Sequence, residues 1–304
     1  MKQTTKNEIM DTVHTSNLGK RYGSHWALKG CSIEVPNGSV SALVGPNGAG
    51  KTTLLKLLVG LNRPSSGTAS VLGQTPSQTT SYLSNIGYLA QEVPLYGQFS
   101  AKDHLAIGAH MDANWDNELA VKRLNELDIP LDRPVGKLSG GQRAQVGLAM
   151  ALAKKPKLLL LDEPVAALDP LARVDFLSSL AQAVSDAAGE LTVIMSSHLL
   201  SDLERICDHV IILASGETQL CENIEHALET HKLLVGPKGQ QPNNDGYRVI
   251  KETHSPTATH LLVRLEQPKH NLPGWHIRNV DIEEIVLAYM GQNKNESITK
   301  GDVR

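Results

Sequence analysis

The sequence is poor in cysteine and has no surplus of either charge. Its three cysteines, Cys31, Cys207 and Cys221, are far apart and include no CxxC pair, which argues against a disulfide framework or a zinc site and favours a reducing compartment. The 29 basic and 32 acidic residues lack the basic surplus typical of nucleic-acid-binding proteins. We therefore expect no nucleic-acid partner.

Long apolar runs are absent as well. No segment approaches the ~20 apolar residues that a membrane-spanning helix needs. The longest candidate, residues 157–168, is interrupted by Asp162, Glu163 and Pro164. The N-terminal residues have no apolar h-region, so we expect no signal peptide. The sequence predicts a cytoplasmic protein whose contact with any membrane depends on a partner.

What is present is an alternation of short apolar runs with helical patterns over 304 residues, enough for one large domain or about two. Helical spacing dominates between about residues 98 and 153, where Ser100 and Asp103 predict a capping box at the start of one helix. A Gly/Pro/Asn-rich connector at 236–246 precedes a small α/β region with predicted strands at 247–251 and 260–265 and a predicted helix at 281–290. Such alternation predicts parallel strands joined by crossover helices. The runs that predict buried strands lie at 40–44, 158–162, 191–195 and 209–213.

The segment GPNGAGKT, residues 45–52, fits the phosphate-loop pattern G-x-x-x-x-G-K-[ST] between a predicted strand and a predicted helix. Its glycines let backbone N–H groups curl around a β-phosphate, and Lys51 would reach the β- and γ-phosphates. The hydroxyl of Thr52 would bind Mg²⁺. The alternative interpretation is a glycine-rich turn with an incidental lysine.

Two carboxylates follow a run of four leucines, at the carboxyl edge of a predicted buried strand where ligands bind in open α/β sheets. Asp162 would hold Mg²⁺ directly or through water, and Glu163 could polarise an attacking water molecule. The alternative is an acidic pair that only caps a helix.

A second candidate anion-binding site lies at the start of another predicted helix, in the segment SGGQ. Bare backbone N–H groups and the positive end of the helix dipole attract an anion there, although no lysine accompanies them. The alternative is that the serine only caps the helix. The residues of this segment are Ser139, Gly140, Gly141 and Gln142.

Five motifs in order, GPNGAGKTT, LSGGQ, LLLLDEP, ALDP and SSH, resemble the nucleotide-binding subunits of ATP-binding cassette (ABC) transporters over residues 12 to about 228. The resemblance implies an α/β fold with a P-loop NTPase core of ABC type, an antiparallel β subdomain, a helical signature subdomain and a small C-terminal α/β extension. The implied domains are an ATP-binding domain at 12–229 with its helical subdomain at about 92–153, the extension at 230–290 and a flexible tail at 291–304.

In that family two subunits enclose two ATP molecules head to tail. The resemblance therefore implies that the SGGQ residues bind the γ-phosphate held by a partner subunit. The residues of the nucleotide-binding loop would be Gly45, Pro46, Asn47, Gly48, Ala49, Gly50, Lys51, Thr52 and Thr53.

The resemblance also assigns roles to four single residues. Tyr22 would stack on adenine, and Gln91 would contact both Mg²⁺ and the attacking water. Asp169 would touch the partner subunit, and His198 would bond the γ-phosphate. At these positions the sequence does not depart from the family pattern, so we expect a site competent for hydrolysis.

The implied function is ATP hydrolysis, with ATP and Mg²⁺ as cofactors. Such a subunit pairs with a second ATP-binding subunit, identical or paralogous, beneath an integral membrane permease. It is peripheral on the inner face of the cell membrane. The stretch after Gln91, EVPLYGQFSAKDHLAI, resembles the coupling region of bacterial exporter-type subunits. The later region with WHIRNVDIEEIVLAYM resembles the C-terminal extension of drug-export members. Both resemblances favour export of a drug, peptide or lipid-like substrate.

ABC ATPases that act in translation or in DNA maintenance are the alternative. Translation-associated members usually carry two cassettes in one chain, whereas this sequence has one phosphate loop with a lysine. DNA-maintenance members insert long coiled coils before the signature. Here fewer than fifty residues separate Gln91 from Ser139, without sustained heptads.

Overall fold

The computed structural model of the protein describes residues 11–197, 206–242, 246–266 and 274–296. The strands are β1 (Asp11–Tyr22), β2 (His25–Cys31), β3 (Glu34–Pro36), β4 (Val40–Val44), β5 (Ser66–Val71), β6 (Ile86–Leu89), β7 (Leu158–Leu161), β8 (Thr192–Ser197), β9 (His209–Ala214), β10 (Glu217–Asn223), β11 (His231–Pro237), β12 (Tyr247–His254), β13 (Ala258–Leu265) and β14 (His276–Asn279). The helices are α1 (Lys51–Leu58), α2 (Thr80–Leu83), α3 (Ala101–Met111), α4 (Asn117–Glu126), α5 (Gly140–Ala153), α6 (Pro170–Asp186), α7 (Ile224–Thr230) and α8 (Ile282–Glu296).

A six-stranded sheet lies at the centre, with its strands in the order β10-β9-β4-β8-β7-β6. Its neighbours pair in parallel except β9 and β10, which form an antiparallel hairpin. All residues of β4, β7, β8 and β9 are buried, as expected for parallel strands covered on both faces. The predicted parallel sheet is therefore confirmed.

A smaller antiparallel sheet of β1, β2, β3 and β5 covers one face of the central sheet together with α1. Because side chains alternate along a strand, Leu43 and Leu160 point into this layer. Their neighbours Ala42 and Leu161 point into the opposite layer, where α6 buries Phe176. The loop after β4 thus emerges between two packed layers.

A helical subdomain of α3, α4 and α5 lies between β6 and β7 in the sequence and has its own apolar core. The predicted capping box at the start of α3 is present. The Ser100 hydroxyl accepts a hydrogen bond from the Asp103 N–H, and the Asp103 carboxylate accepts one from the Ser100 N–H. A 3₁₀ turn at Val135–Lys137 leads towards α5.

The C-terminal extension is a four-stranded antiparallel sheet, in the order β12-β13-β11-β14, with α8 packed on it. The sequence predicted β12, β13 and α8 but not β11 or β14. Lys232, Gly236 and Pro237 interrupt the apolar pattern of β11, and β14 is short and mostly exposed.

The end of α8 differs from the expected boundary. The helix continues to Glu296, so residues 291–296 are helical where a flexible tail was expected. Gly291 weakens a helix by about 1 kcal/mol relative to alanine but does not end it, and the lysine and glutamate that follow favour helix. Residues 297–304 lie outside the described part of the chain.

The extension shares a hydrophobic core with the central sheet. Ile285 and Val286 of α8 belong to the same buried cluster as Val210 and Ile212 of β9. Polar contacts close the junction, since the buried His231 imidazole bonds the Ala227 carbonyl (2.8 Å) and the Tyr289 hydroxyl (3.0 Å). Burial lowers the pKa of His231 to about 4, so this imidazole is neutral at pH 7.

Candidate nucleotide-binding site

The phosphate loop leaves β4 at the carboxyl edge of the central sheet and enters α1. A Cβ on Gly45 would lie 2.3 Å from the Leu213 carbonyl oxygen, so only glycine fits there. Gly48 and Gly50 have φ values of +82° and +104°, which glycine adopts without a steric penalty. Gly50 is the N-cap of α1 and offers no side-chain oxygen to its first N–H groups. The positive end of α1 thus faces the loop, as an anion site requires.

Lys51 places its ammonium group inside this loop and is 4% exposed. Its Nζ donates hydrogen bonds to the carbonyl oxygens of Gly45 (2.8 Å) and Pro46 (3.4 Å). The same Nζ lies 3.2 Å from Glu163 Oε1. A buried ammonium is costly unless it is paired, and these three oxygens match its three N–H donors.

Asp162 lies directly after β7 and is almost fully buried. One of its oxygens, Oδ1, accepts hydrogen bonds from the Thr52 hydroxyl (3.1 Å) and the Ser196 hydroxyl (2.9 Å). The Ser196 oxygen in turn accepts the Glu163 N–H (2.8 Å). The carboxylate of Asp162 and the hydroxyl of Thr52 are oxygen donors of the kind that Mg²⁺ prefers, so this pair fits the predicted metal.

Glu163 reaches the loop because its backbone turns sharply at the end of β7. Its φ of +46° is unusual for a residue other than glycine and often marks a functional position. The Glu163 side chain is 13% exposed. This turn brings the carboxylate that follows Asp162 to the Lys51 ammonium.

A pocket of 570 Å³ opens beside these groups. Gln91 and Glu163 line it, whereas Gly45, Pro46 and Asp162 are not among the described residues of its wall. His25 and Ala27 of β2, which were not predicted, also line it. The described residues on its wall are His25, Ala27, Asn47, Gly48, Ala49, Gly50, Lys51, Thr52, Thr53, Gln91, Glu163 and Ala166.

Tyr22 lies at the end of β1 and is not among these described wall residues. Its hydroxyl accepts a hydrogen bond from the Asn62 amide (2.8 Å), and the Lys20 ammonium lies 5.2 Å from the ring centroid. The ring is 47% exposed. The expected stack on a base is therefore not preformed in this pocket.

The signature residues lie apart from this pocket, and no described residue of 139–142 lines it. Ser139 is the N-cap of α5. Its hydroxyl accepts the Gln142 N–H (3.1 Å), while Gln142 Oε1 accepts the Ser139 N–H (3.1 Å). Gly140 is exposed, and Gly141 packs so closely on Ala172 that a Cβ there would lie 2.7 Å from the Ala172 Cβ.

Asp169 is the N-cap of α6, immediately beside that contact. Its Oδ1 accepts hydrogen bonds from the N–H groups of Leu171 (3.1 Å) and Ala172 (3.0 Å). Asp169 and the signature thus form one packed unit. His198, the remaining predicted residue, lies outside the described residues.

Two side chains beside Asp162 were not predicted from the sequence as part of the site. Ser196 lies within the SSH motif, and its place at the end of a buried strand could have revealed it. The Tyr88 hydroxyl is buried, without a hydrogen-bond partner among the described residues. Burial, and secondly the charge of Asp162, raise the pKa of Tyr88 to about 12, so this phenol stays protonated at pH 7.

A phosphate loop of this build, between a parallel strand and a helix, defines a P-loop nucleotide-binding protein. Comparison with known proteins is consistent with this class. The profile of the ABC transporter family matches residues 28–166.

Three relatives illustrate the range of similarity. YxlF of Bacillus subtilis, an uncharacterized ABC transporter ATP-binding protein, is 37% identical over 66% of this chain and 67% of its own. A probable sulfate/thiosulfate import ATP-binding protein, CysA, of Chlorella vulgaris is 36% identical over 66% of this chain and 86% of its own. The Nod factor export ATP-binding protein I of Ralstonia nicotianae is 27% identical over 92% of this chain and 94% of its own.

Solved structures share the fold. A nucleotide-free ATP-binding cassette from an ABC transporter gives a TM-score of 0.62 at 25% identity, over 71% of this chain and 93% of that one. The protein cbiO1 of Clostridium perfringens, part of the ABC transporter complex cbiONQ, gives 0.60 at 27% identity, over 70% and 88%.

The chain therefore belongs to the ABC transporter family, as an ATP-binding subunit. The predicted ABC-type α/β fold is confirmed, and so is ATP as the nucleotide that this ATPase family uses. None of the helices in the described part of the chain has both the length and the apolar content to cross a membrane.

The two left-handed glycines of the loop give a test of its close packing. Gly50→Ala would place a Cβ 2.6 Å from the Ala27 carbonyl oxygen, whereas Gly48→Ala meets nothing within 4 Å. Both changes should cost about 1–2 kcal/mol of left-handed strain. Gly50→Ala should cost a further ~1–3 kcal/mol from the collision. Urea unfolding of both variants measures this difference, and equal losses would show that Ala27 does not constrain the loop.

Proposed function

We propose that this chain hydrolyses ATP in the pocket beside Lys51 and thereby drives an ABC exporter. The observation that carries the proposal is the position of Lys51 between the phosphate loop and Glu163. A buried ammonium, a carboxylate 3.2 Å away and the hydrogen-bonded Asp162–Thr52 pair supply the groups that phosphoryl transfer to water needs.

The loop residues 45–53 would cradle the triphosphate, with Lys51 on the β- and γ-phosphates. Thr52, Asp162 and Gln91 would hold Mg²⁺, which supplies positive charge to neutralise the phosphate oxygens. In the structure Lys51 is paired with Glu163. When Lys51 turns to phosphate oxygens it releases the Glu163 carboxylate, which can then accept a proton from the attacking water.

A second subunit completes each site in this proposal. Ser139, Gly140, Gly141 and Gln142 do not reach their own pocket, yet they expose a helix N-terminus suited to a γ-phosphate. Asp169, packed beside them, would contact the partner near the same phosphate. The partner is a second copy of this chain or a paralogue, and residues 12–229 would form the domain that dimerises.

Two further roles are proposed for Tyr22 and His198. Tyr22 would stack on adenine with the ring face that Lys20 leaves open, and its 47% exposure makes that face accessible. His198 would bond the γ-phosphate. It follows β8, next to β4 and β7 in the central sheet, so a role at the same carboxyl edge is consistent with the topology.

The membrane partner would bind the segment that follows Gln91. Tyr96 and Phe99 are 68% and 42% exposed, with ring centroids 5.6 Å apart. The buried His104 holds this pair, because its Nε2 accepts the Tyr96 N–H (3.0 Å) and its Nδ1 donates to the Ser100 carbonyl (2.8 Å). A rigid exposed aromatic pair is suited to docking another protein.

The share of this chain that each relative matches favours export over import. The Nod factor export relative matches 92% of this chain, including the extension, whereas the sulfate/thiosulfate import relative matches 66%. The working place would be the inner face of the cell membrane, beneath a permease that carries a drug, peptide or lipid-like substrate. A role in translation or DNA maintenance gains no support from these relatives.

Replacement of Glu163 tests the catalytic base. Glu163→Gln should lower ATP turnover by about 10²–10⁴-fold, because glutamine cannot accept the proton of water. ATP binding, measured by calorimetry, should remain. Glu190→Gln, on an exposed glutamate, is the control and should turn over ATP normally. Unchanged turnover in Glu163→Gln would place the base elsewhere.

Mixing two inactive variants tests the shared site. Lys51→Ala removes the phosphate-loop ammonium, and Gly140→Asp puts a negative charge where the γ-phosphate would bind. The aspartate should fold, since a Cβ on Gly140 meets only Leu168 Cδ2 at 3.9 Å and acidic residues suit a helix N-terminus.

Equal amounts of the two variants should recover up to about a quarter of wild-type turnover. Half of the dimers are mixed, and each mixed dimer has one intact pair of loop and signature. If each chain used its own signature, no activity would return on mixing.

Substitution of the aromatic pair tests the permease contact. Tyr96→Ser with Phe99→Ser should leave the ATP turnover of the isolated protein intact. It should also abolish capture of the protein by the proposed integral membrane permease. Met111→Ser, at another exposed apolar residue of the helical subdomain, is the matched control. Normal capture of the double variant would show that the permease docks on another surface. The direction of transport needs a separate measurement: ATP-driven uptake into inside-out vesicles would identify export.

A further inference from the structure

We propose that His25 binds the ribose hydroxyls of the nucleotide. This assignment rests on the proposed ATP site and adds a residue that neither the motifs nor the family resemblance indicated. The starting observation is that His25 lines the same pocket as Lys51, Thr53 and Glu163, although it comes from a different sheet.

The β1–β2 hairpin turns His25 towards this pocket. Tyr22 and His25 are directly opposite each other across a two-residue turn, so their side chains share one face of the hairpin. The next pair, Arg21 and Trp26, points to the other face, where the guanidinium lies 5.6 Å from the indole centroid. The hairpin thus presents a tyrosine and a histidine side by side on its pocket face.

The distance of this hairpin from the phosphate loop is fixed by direct packing. The backbone of Gly50 lies against β2, since a Cβ there would be 2.6 Å from both the Ala27 carbonyl oxygen and Leu28 Cδ2. The Lys29 N–H also donates to the Gly216 carbonyl (2.8 Å), which ties β2 to the β9–β10 turn. His25 therefore has a defined position relative to the loop.

That position lies between the two ends of a nucleotide. Ala27, which contacts the phosphate loop, is two residues along β2 and faces the same way as His25. Tyr22, the exposed aromatic ring suited to stack on a base, is directly opposite His25. Ribose is the part of ATP that separates the phosphates from the base.

The chemistry of the side chain fits a sugar diol. A neutral imidazole has one N–H donor and one acceptor nitrogen, and adjacent ribose hydroxyls can both donate and accept. Within the described residues, no side chain or backbone group forms a hydrogen bond or ion pair with the exposed His25 imidazole. Binding the sugar therefore requires no existing contact to break.

The test compares ATP with 2′,3′-dideoxy-ATP, which lacks both hydroxyls. The wild-type chain should bind ATP about three- to tenfold more tightly than the dideoxy nucleotide, as expected for one hydrogen bond. His25→Ala should bind the two with nearly equal affinity. His25→Gln, which keeps a donor and an acceptor, should restore part of the preference.

Controls separate this role from a loosened loop. Inorganic tripolyphosphate should bind His25→Ala as tightly as wild type, because it lacks the sugar. His110→Ala, at an exposed histidine of the helical subdomain, should keep the wild-type preference for ATP.

Two outcomes would overturn the assignment, and they differ from failure of the proposed function. Retention of the ATP preference in His25→Ala would exclude a ribose contact, and weaker tripolyphosphate binding would make His25 structural. If the wild-type chain bound neither nucleotide, the ATP site itself would be wrong.

Discussion

The buried ammonium of Lys51 is the interaction on which the rest of the site depends. Two loop carbonyls and the Glu163 carboxylate surround it and offset the cost of its burial. The carbonyls belong to the loop after β4, and the carboxylate follows β7. Because β8 separates β4 from β7 in a parallel sheet, both loops emerge at one edge, and the positive φ of Glu163 closes the remaining gap. Sheet order therefore determines which carboxylate meets the lysine.

The two glycine-rich segments of this chain, the phosphate loop and residues 139–142, differ in how the helix at each of them begins. At α1 the N-cap is Gly50, without a capping side chain, and a lysine follows it. At α5 the N-cap is Ser139, whose capping box with Gln142 satisfies two backbone N–H groups inside the chain. The first helix start thus leaves its N–H groups without a capping side chain, whereas the second has its own cap and is exposed. An exposed helix N-terminus of that kind suits a ligand that is bound to another molecule.

Local patterns predicted most of this arrangement. The phosphate loop, the strand before Asp162 and the caps of α3 and α5 depend on neighbouring residues, so the sequence carries them directly. His25 and Ser196 depend on which strands become neighbours, which spacing along the chain does not reveal. Strand β11 was missed because Lys232 and Gly236 obscure its apolar pattern. Helix α8 continues beyond the predicted boundary at residue 290 because Gly291 does not end it. The missed site residues are therefore those placed by strand neighbours, whereas the two errors in the extension come from ambiguous local signals.

The extension bears on the nucleotide site through β9. Helix α8 packs against this strand, and Ile285 and Val286 complete the apolar cluster that holds Val210 and Ile212. At the end of the same strand, the Leu213 carbonyl oxygen lies so close to Gly45 that no Cβ fits between them. The extension therefore buries one side of β9, the strand whose Leu213 carbonyl leaves no room for a side chain on Gly45. Removing α8 would expose that face of β9 to water, so the extension is part of the support of the loop.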